Sequence, residues 1–186
     1  NFYPERYSGL SQKTFDRFNE NWKSLGLTLA AFVTSRQPET FGPWPVYQGL
    51  PTLEEDRTLP IDAQTRHMVA CGAVDDILIG NAYASEEELR QMASVNRANT
   101  AIRVEAAPGL SEAERSAVYD HKHAGRNDAS EYYIRSSFPS LDFKNTPIPV
   151  RSCEKKKFVR GDVLVVNDNL SHYRGEVEIV LTEIEN

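Results

Sequence analysis

Two short segments rich in apolar residues, LTLAAFV at 27–33 and DILI at 76–79, alternate with predicted helices in the first half of the chain. Nearly continuous apolar runs of this length are typical of strands buried on both faces of a parallel sheet. Because strands that alternate with helices form right-handed βα units, residues 1–97 are predicted to be α/β. Two parallel strands cannot enclose a core by themselves, so this half is expected to be part of a larger α/β domain.

Capping signals set the limits of the predicted helices. Helices are expected over about 11–25, 58–71, 85–96 and 111–119. Ser85 with Glu88, and Ser111 with Glu114, have the spacing of a capping box, in which each side chain reaches the other residue's backbone amide. These pairs predict where the third and fourth helices begin.

The second half of the chain is predicted to be a β domain. Five strand candidates follow one another, at 101–107, 131–136, 157–159, 163–166 and 176–181. Short strands separated by glycine and proline turns are typical of a small barrel or sandwich. The sequence therefore predicts two domains, residues 1–105 and residues 106–186.

The longest predicted loop, FGPWPVYQGLPTLEEDR at 41–57, lies between a strand and a helix. A loop of this length is usually functional or disordered. Its prolines restrict the backbone, and Trp44 and Tyr47 give it large side chains to pack, so we expect an ordered, functional loop. The alternative is a packed loop that binds nothing.

Charge and composition argue against several classes of function. The net charge of −6 and the pI of about 5.3 argue against a general nucleic-acid binder, which needs a basic face. No apolar run reaches the length of a membrane span, and the first residues lack the basic and apolar parts of a signal peptide. The two cysteines, Cys71 and Cys153, lie far apart in sequence. A disulfide between them is left open, but this cysteine usage fits a reducing cytoplasm better.

Several strings of the sequence together resemble one bacterial family. They are NFYPERYSGLS at 1–11, GLPTLEEDR at 49–57, VDDILIGNAYASEEEL at 74–89, HKHAGRNDASEYYIRS at 121–136 and RGDVLVVNDNLSHYRGEVEIVL at 160–181. The pattern covers nearly the whole chain and resembles the 6-phospho-N-acetylmuramidases. The resemblance implies α/β plus β architecture, with a TIM-like (β/α)8 barrel followed by a small cyclophilin-like β-barrel domain. It also implies cytoplasmic cleavage of the disaccharide of N-acetylmuramic acid 6-phosphate and N-acetylglucosamine in cell-wall recycling.

Compared with that family, the chain is expected to hold only the last βα units of the barrel, starting at the end of the sixth strand. A complete (β/α)8 barrel takes about 250 residues. A homo-oligomer and association with a separate half-barrel are both left open. A sugar-phosphate binding or regulatory module without catalysis is the alternative function. Asn81 stands where the family pattern has an aspartate.

A small-molecule sugar phosphate is the expected ligand, with no partner nucleic acid or membrane. The candidate binding residues carry hydrogen-bonding heads, aromatic rings or guanidinium groups: Asn1, Tyr3, Tyr47, Asn81, Arg126, Asp128, Arg135, Asn167 and Arg174. Guanidinium forks suit phosphate and carboxylate groups, and tyrosine rings suit sugars. The backbone amides of residues 80–82 are a further candidate, as a phosphate cradle. The competing interpretation is packing for the tyrosines and surface ion pairs for the arginines.

No catalytic pair can be assigned from the sequence. Glycoside hydrolysis commonly uses two carboxyl groups, and the candidates are Glu54, Glu55, Asp56, Asp75 and Asp76. Asp75 and Asp76 lie at the start of their strand, whereas the chemistry of a barrel sits at the C-terminal ends of its strands. The acids at 54–56 lie near a helix start, where negative charge is favoured in any case.

Cofactor and metal sites are not expected. His121 and His123 lack a third ligand at the spacing of a zinc site. The sequence has no glycine-rich nucleotide fingerprint and no G-x-S-x-G nucleophile elbow.

Overall fold

The computed structural model describes residues 2–128 and 130–186. The chain divides into two compact units, Asn1–Arg103 and Val104–Asn186. The elements of the first unit are α1 (Gln12–Ser24), β1 (Ala30–Val33), α2 (Ile61–Cys71), β2 (Asp76–Ile79) and α3 (Glu86–Ala93). The two strands and three helices predicted for this half of the chain are confirmed.

The two strands of the first unit pair in parallel, with Ala30 opposite Asp76 and Val33 opposite Ile79. Parallel pairing places the carboxyl ends of both strands, and the loops that leave them, at the same edge. The core packed against these strands consists of Phe15, Ala31, Val33, Leu53, Ile61, Met68 and Val74. Since Leu53 belongs to the long loop, this loop is anchored in the core by an apolar side chain.

The long loop also covers part of the backbone of β1. The N–H of Phe32 donates to the hydroxyl of Thr52 at 2.8 Å, and the N–H of Thr52 donates to the carbonyl of Phe32 at 2.9 Å. Unpaired strand backbone must find partners when it is buried. The loop therefore supplies hydrogen-bond partners to backbone groups of β1 that β2 leaves unpaired. The predicted order of this loop is confirmed.

The second unit is built around a small antiparallel sheet. Its elements are α4 (Glu112–Tyr119), β3 (Tyr133–Ser136), β4 (Lys157–Phe158), β5 (Val163–Val165), β6 (Val177–Val180) and β7 (Ile184–Glu185). The strand order is β3-β6-β5 in one sheet, and β4 pairs with β7 in another. Ala117 of α4 packs with Phe143, Ile148 and Val177 in the core of this unit. Four of the five predicted strands are confirmed.

The segment 101–107, predicted as a strand, is irregular in the structure. Its side chains are exposed except that of Val104, which is half-buried. A strand needs a neighbour that completes its hydrogen bonds and a face to bury. The side chain of Arg103 instead donates to Asp62 of α2 at 2.7 Å. The prediction of a strand at 101–107 was therefore wrong.

Both predicted capping boxes are present at the starts of α3 and α4. The N–H of Ser85 donates to Glu88 at 2.9 Å, and the N–H of Ser111 donates to Glu114 at 2.7 Å. The reciprocal bonds to the two serine hydroxyls are each 3.2 Å long. In the part of the chain that the structure describes, no helix has the length and apolar character needed to cross a bilayer.

Candidate functional site

The side chains that follow β1 and β2 form a buried hydrogen-bond network at the carboxyl edge of the strands. The side-chain oxygen of Asn81 accepts from the N–H of Ser35 at 2.8 Å and from the hydroxyl of Thr34 at 3.1 Å. Its nitrogen donates to the carbonyl of Ser35 at 3.0 Å. Gln64 of α2 accepts from the N–H of Thr34 at 2.7 Å and donates to its carbonyl at 3.0 Å. This network fixes the backbone that leaves β1.

Glu88, in the first turn of α3, extends the network to the next residue of the chain. Its carboxylate accepts from the hydroxyl of Ser35 and from the N–H groups of Arg36 and Ser85, each at 2.9 Å. Burial alone would raise the pKa of Glu88, but these donors outweigh it and lower the pKa. The backbone of Arg36 is therefore held, while its side chain is exposed. The sequence analysis missed this cation, whose position three residues past the end of a parallel strand was the available signal.

The polar groups predicted to meet a ligand at the end of β2 are already bonded within the protein. Asn81 is 1% exposed, so it shapes the strand edge rather than presenting its amide to a ligand. The N–H of Gly80 donates to the carbonyl of Val33, and the N–H of Ala82 donates to that of Phe41, both at 2.9 Å. These bonds correct the expectation of a phosphate cradle at 80–82, because two of its amides are satisfied.

The loop 41–57 presents aromatic side chains at its surface. Trp44 stacks on Phe2, with the ring centroids 5.6 Å apart and the planes 27° from parallel. Trp44 is 42% exposed and Tyr47 is 78% exposed. Exposed aromatic faces with a polar tip suit the mixed polar and apolar surface of a sugar.

The first residues lie against this loop. The N–H of Tyr3 donates to the carbonyl of Pro51 at 3.1 Å, and its carbonyl accepts from Arg57 at 2.9 Å. The position of Tyr3 beside the loop is therefore set by backbone contacts. Asn1, predicted as a further ligand, lies outside the described residues.

The acidic end of the loop is held in ion pairs. Glu54 accepts from Arg57 in two contacts of 2.8 and 2.6 Å, and from the N–H groups of Tyr7 and Gly9 at 2.7 and 2.8 Å. The hydrogen bonds from Arg57 are the main cause that lowers the pKa of Glu54 to about 2, against the effect of burial. Glu55 is exposed and next to this pair. Glu54 is therefore a structural carboxylate in this conformation.

Two further predicted acids are also bonded to cations. Asp56 is fully buried, and its Oδ1 lies 2.7 Å from Nδ1 of His67. Asp75 receives the ammonium of Lys23 at 2.7 Å and the N–H of Leu29 at 2.8 Å. Asp75 directly precedes β2, so it lies at the amino end of this strand and away from the carboxyl ends of the sheet. Asp76, the first residue of β2, is exposed.

In the second unit, the structure brings together three of the predicted ligand residues. Nε and Nη2 of Arg126 donate to the two carboxylate oxygens of Asp128 at 2.7 and 3.0 Å. Nη2 of Arg135 donates to the same carboxylate at 3.3 Å. Arg126 is the main cause that lowers the pKa of Asp128. Two guanidinium groups therefore share one carboxylate, with the backbone N–H of Arg126 fixed to the carbonyl of Arg135 at 3.2 Å.

Two cavities adjoin this cluster. A cavity of about 740 Å³ is lined by Arg126 and Asp128 together with Ser137, Phe138 and Leu141. A smaller one of about 150 Å³ lies between Arg126, Asp128 and Arg135. Phe138 and Leu141 are largely exposed, and the buried hydroxyl of Ser137 has no hydrogen-bond partner among the described residues. The larger cavity thus combines one guanidinium group with an apolar wall.

The charged cluster continues through two glutamates that the sequence analysis missed, Glu178 of β6 and Glu176, which directly precedes this strand. Glu176 lies 3.7 Å from Arg135, and Glu178 stands opposite Arg135 in the pairing of β3 with β6. Burial raises the pKa of Glu178, Glu176 raises it further, and Arg135 opposes both. Glutamates two residues apart share one face of a strand, while Val177 faces the core. The alternation E-V-E was the signal that could have identified them.

Asn167 and Arg174 form hydrogen bonds and an ion pair near the loop that contains them. The side-chain oxygen of Asn167 accepts from the N–H of Asn169 at 3.0 Å, at the start of the 3-10 turn Asp168–Leu170. Arg174 pairs with Asp168 and donates to the carbonyl of Lys144 at 3.1 Å. The contacts described for these two residues are therefore with this loop and with the carbonyl of Lys144, and not with the Arg126 cluster.

The two histidines considered as metal ligands make separate contacts. Nε2 of His121 lies 3.0 Å from Asp142, and Nδ1 of His123 lies 3.2 Å from the hydroxyl of Ser136. Over residues 2–128 and 130–186, no three His, Cys, Asp or Glu side chains are grouped so that they could hold a metal ion.

Comparison with known proteins identifies relatives over the whole chain. Residues 1–94 match the family model described as 6-phospho-N-acetylmuramidase, N-terminal, and residues 100–186 match the one described as 6-phospho-N-acetylmuramidase, C-terminal. The crystal structure of an uncharacterized B. cereus protein is 39% identical, with a TM-score of 0.87, over 100% of this chain and 52% of that one. No curated protein matches.

A second solved structure, of a conserved Enterococcus faecalis protein with an unknown function, is 26% identical with a TM-score of 0.66. The match covers 100% of this chain and 48% of that one. The chain therefore spans about half the length of both solved structures.

Proposed function

This chain belongs to the 6-phospho-N-acetylmuramidase family, and we propose that it takes part in hydrolysis of the glycosidic bond between N-acetylmuramic acid 6-phosphate and N-acetylglucosamine. The proposed setting is cytoplasmic cell-wall recycling. Because the solved relatives are about twice as long, the activity proposed is that of a whole family protein.

The proposed architecture is that of the last βα units of a TIM-like barrel followed by a cyclophilin-like β-barrel domain. The parallel pair β1–β2 with its helices supports the first part. The antiparallel sheet β3-β6-β5 supports the second. In such a barrel the loops after β1 and β2 would face the substrate, and the loop after β1 carries Arg36 and the exposed Tyr47.

The observation that carries the proposal is the contact of Arg126 and Arg135 with the single carboxylate of Asp128. The proposed sugar has two anionic groups, the 6-phosphate and the lactyl carboxylate, and guanidinium forks bind both with paired hydrogen bonds. Arg126 and Asp128 are about half exposed, at 47% and 56%. Exposed ion pairs contribute at most about 1 kcal/mol, so a phosphate dianion can take the place of Asp128 at low cost.

The larger cavity beside Arg126 fits a sugar phosphate in size and in lining. Its volume of about 740 Å³ lies within the range of small-molecule sites. The faces of Phe138 and Leu141 can pack on the apolar side of a pyranose or on an acetyl methyl.

Calorimetric titration with N-acetylmuramic acid 6-phosphate tests the proposal. Arg126→Ala and Arg135→Ala should each weaken binding by about tenfold or more, since a hydrogen bond to a charged group contributes about 1.5–3 kcal/mol. The matched control is Arg160→Ala, an exposed arginine of the same unit whose contact is the carbonyl of Leu181. Wild-type affinity in both arginine variants would refute the assignment of the site.

The alternative is a sugar-phosphate binding or regulatory module without catalysis. It is favoured by the contacts of Glu54, Asp56 and Asp75, which are each held by a cationic side chain. A turnover assay with the disaccharide, run beside the titration, separates the two functions. Binding together with release of N-acetylglucosamine supports the hydrolase, and binding without release supports the module.

A further inference from the structure

The carboxylate of Asp128 takes up hydrogen-bond donors of both arginines in the Arg126 cluster. It accepts from Nε and Nη2 of Arg126 at 2.7 and 3.0 Å, and from Nη2 of Arg135 at 3.3 Å. Paired N–H donors of this kind are also what a phosphate group binds. Asp128 and a bound phosphate would therefore use the same donors, so that binding of one excludes the other.

The charges of the cluster lead to the same conclusion. Its two guanidinium groups face the carboxylates of Asp128 and Glu176, the latter 3.7 Å from Arg135. Glu178, opposite Arg135 on the neighbouring strand, adds a further negative charge whenever it is ionised. The positive charges are thus already matched, and an anion that simply joined the cluster would be repelled. A ligand anion therefore has to replace one of the carboxylates.

Asp128 is the carboxylate that can be replaced most easily. Its side chain is 56% exposed, whereas that of Glu176 is 7% exposed. A half-exposed carboxylate that turns away from its cation is solvated by water, and an exposed ion pair contributes little to stability. A buried carboxylate that loses its cation is strongly destabilised. Glu176 is therefore the fixed partner of Arg135, and Asp128 is the exchangeable one.

The two cavities meet at Asp128. Arg126 and Asp128 line both the larger cavity, of about 740 Å³, and the smaller one, of about 150 Å³. Of these two cavities, Arg135 lines the smaller. A ligand in the larger cavity therefore meets Arg126 already bonded to Asp128. If Asp128 turned away, Nη2 of Arg135 would become a second donor for the same ligand.

We propose that Asp128 is an internal competitor at the anion site, which binds Arg126 and Arg135 itself and turns into solvent when a phosphate monoester binds. The inference rests on the anion site of the proposed function and adds how that site is regulated. Arg126 lowers the pKa of Asp128, so near neutral pH the ligand and not a proton displaces the carboxylate. The displacement costs every anion the same, and a doubly charged phosphate group regains most from two guanidinium groups.

Inorganic phosphate is the probe, and its binding to the full chain is measured by calorimetry near neutral pH and at low ionic strength. Asp128→Asn removes the competing charge and should tighten phosphate binding by about threefold to fivefold. The matched control is Glu183→Gln, which removes a carboxylate of the same unit that pairs with Lys157 and is 55% exposed. It should leave the affinity within about twofold of the wild type.

A second comparison separates competition from a general effect of charge. In an Arg126→Ala background the carboxylate of Asp128 has lost its closest contact. Asp128→Asn should then change phosphate affinity by less than about twofold, because the two substitutions act on one interaction and are not additive. A general effect of charge would persist in this background, and an undiminished gain in affinity there would overturn the proposal.

Titration with N-acetylmuramic acid 6-phosphate distinguishes this inference from the proposed function. If the sugar phosphate does not bind while Asp128→Asn still tightens inorganic phosphate, the proposed substrate is wrong and the internal competitor stands. If the sugar phosphate binds through Arg126 but Asp128→Asn weakens or does not change the affinity for either ligand, the inference alone is overturned. It is also overturned if neither the wild type nor Asp128→Asn binds inorganic phosphate.

Discussion

The guanidinium of Arg57 forms a bidentate ion pair with the carboxylate of Glu54, with Nε 2.8 Å from Oε1 and Nη2 2.6 Å from Oε2. Nη1 of the same arginine donates to the carbonyls of Tyr3 and Gln48 at 2.9 and 3.1 Å. The arginine side chain is 4% exposed. One buried cation thus ties the acidic end of the long loop to its middle and to the first residues of the chain.

Replacing this arginine should destabilise the protein strongly. Arg57→Ala leaves Glu54 without its cation and two carbonyls without a donor, and breaking a buried pair costs about 3–5 kcal/mol. The free energy of unfolding from urea titration measures the effect. Arg90→Ala is the control, because Arg90 pairs with Glu86 at the surface and is 67% exposed, and its loss should cost under about 1 kcal/mol. Equal costs for the two variants would contradict this role of Arg57.

The pair of Asp56 and His67 should make stability depend on pH on the alkaline side. The pKa of His67 is raised to about 10 in the folded protein, from 6.5. A cation whose pKa is raised by folding stabilises fully below its unfolded pKa, and this stabilisation is lost as the pH rises from about 6.5 to about 10. Urea titrations across that window should show a steady decline for the wild type.

In the variant that combines Asp56→Asn with His67→Gln, neither side chain ionises. Its free energy of unfolding should therefore change less between pH 6.5 and about 10 than that of the wild type. His172→Gln is a matched control, since His172 is exposed and its described ring contact is with Tyr173. The unfolding free energy of His172→Gln should fall with pH as steeply as that of the wild type. A double variant that declines as steeply as the wild type would contradict the ion pair.

The regular elements could be predicted because their signals are local. The apolar runs of β1 and β2, and the serine and glutamate spacing at Ser85 and Ser111, act within a few residues of the chain. The segment 101–107 was also a strand candidate on local grounds, and that prediction was wrong. Whether an alternating segment becomes a strand depends on a neighbour that the segment itself does not encode.

The site could be predicted only where its partners are close in sequence. Arg126 and Asp128 are two residues apart, and their fork was recognisable as a candidate pair. Glu178 meets Arg135 only through the register of two distant strands, and nothing in the local sequence gives that register. Asn81 was correctly placed at a strand end, but its burial depends on the backbone of Ser35 coming from another strand.

Changing Asn81 to aspartate should destabilise this chain near neutral pH. The amide nitrogen of Asn81 donates to the carbonyl of Ser35 at 3.0 Å, and a carboxylate oxygen there has no proton to donate. The lost bond and the unsatisfied carbonyl together cost about 1–3 kcal/mol, to which a buried charge adds. Because a protonated aspartic acid can donate, Asn81→Asp should approach wild-type stability as the pH falls toward about 4.

Urea titration at several pH values checks this expectation. Asn96→Asp is the control, because Asn96 is exposed and its side-chain oxygen only accepts, from the N–H of Ala98 at 2.8 Å. It should change stability by less than about 0.5 kcal/mol at any of these pH values. An Asn81→Asp variant as stable as Asn96→Asp near neutral pH would show that Ser35 finds another donor.

Removing the charge of Glu178 should stabilise the protein near neutral pH. Burial and the neighbouring Glu176 raise the pKa of Glu178 above its ordinary value, against the attraction of Arg135. A carboxyl group whose pKa is raised by folding lowers stability as the pH rises from its unfolded pKa through its folded pKa. Glu178→Gln cannot ionise, so its unfolding free energy should exceed that of the wild type above this window and approach it below.

The control for this prediction is Glu185→Gln, a glutamate of β7 whose side chain is 82% exposed, which should show no such crossover. The opposite result, a Glu178→Gln variant that is less stable near neutral pH, would mean that Arg135 holds Glu178 ionised. Whether Glu178→Gln raises or lowers the unfolding free energy also bears on function, because a general acid must keep its proton until the leaving group needs it. A stabilised variant would therefore identify Glu178 as a carboxyl group suited to proton donation beside the Arg126 cluster.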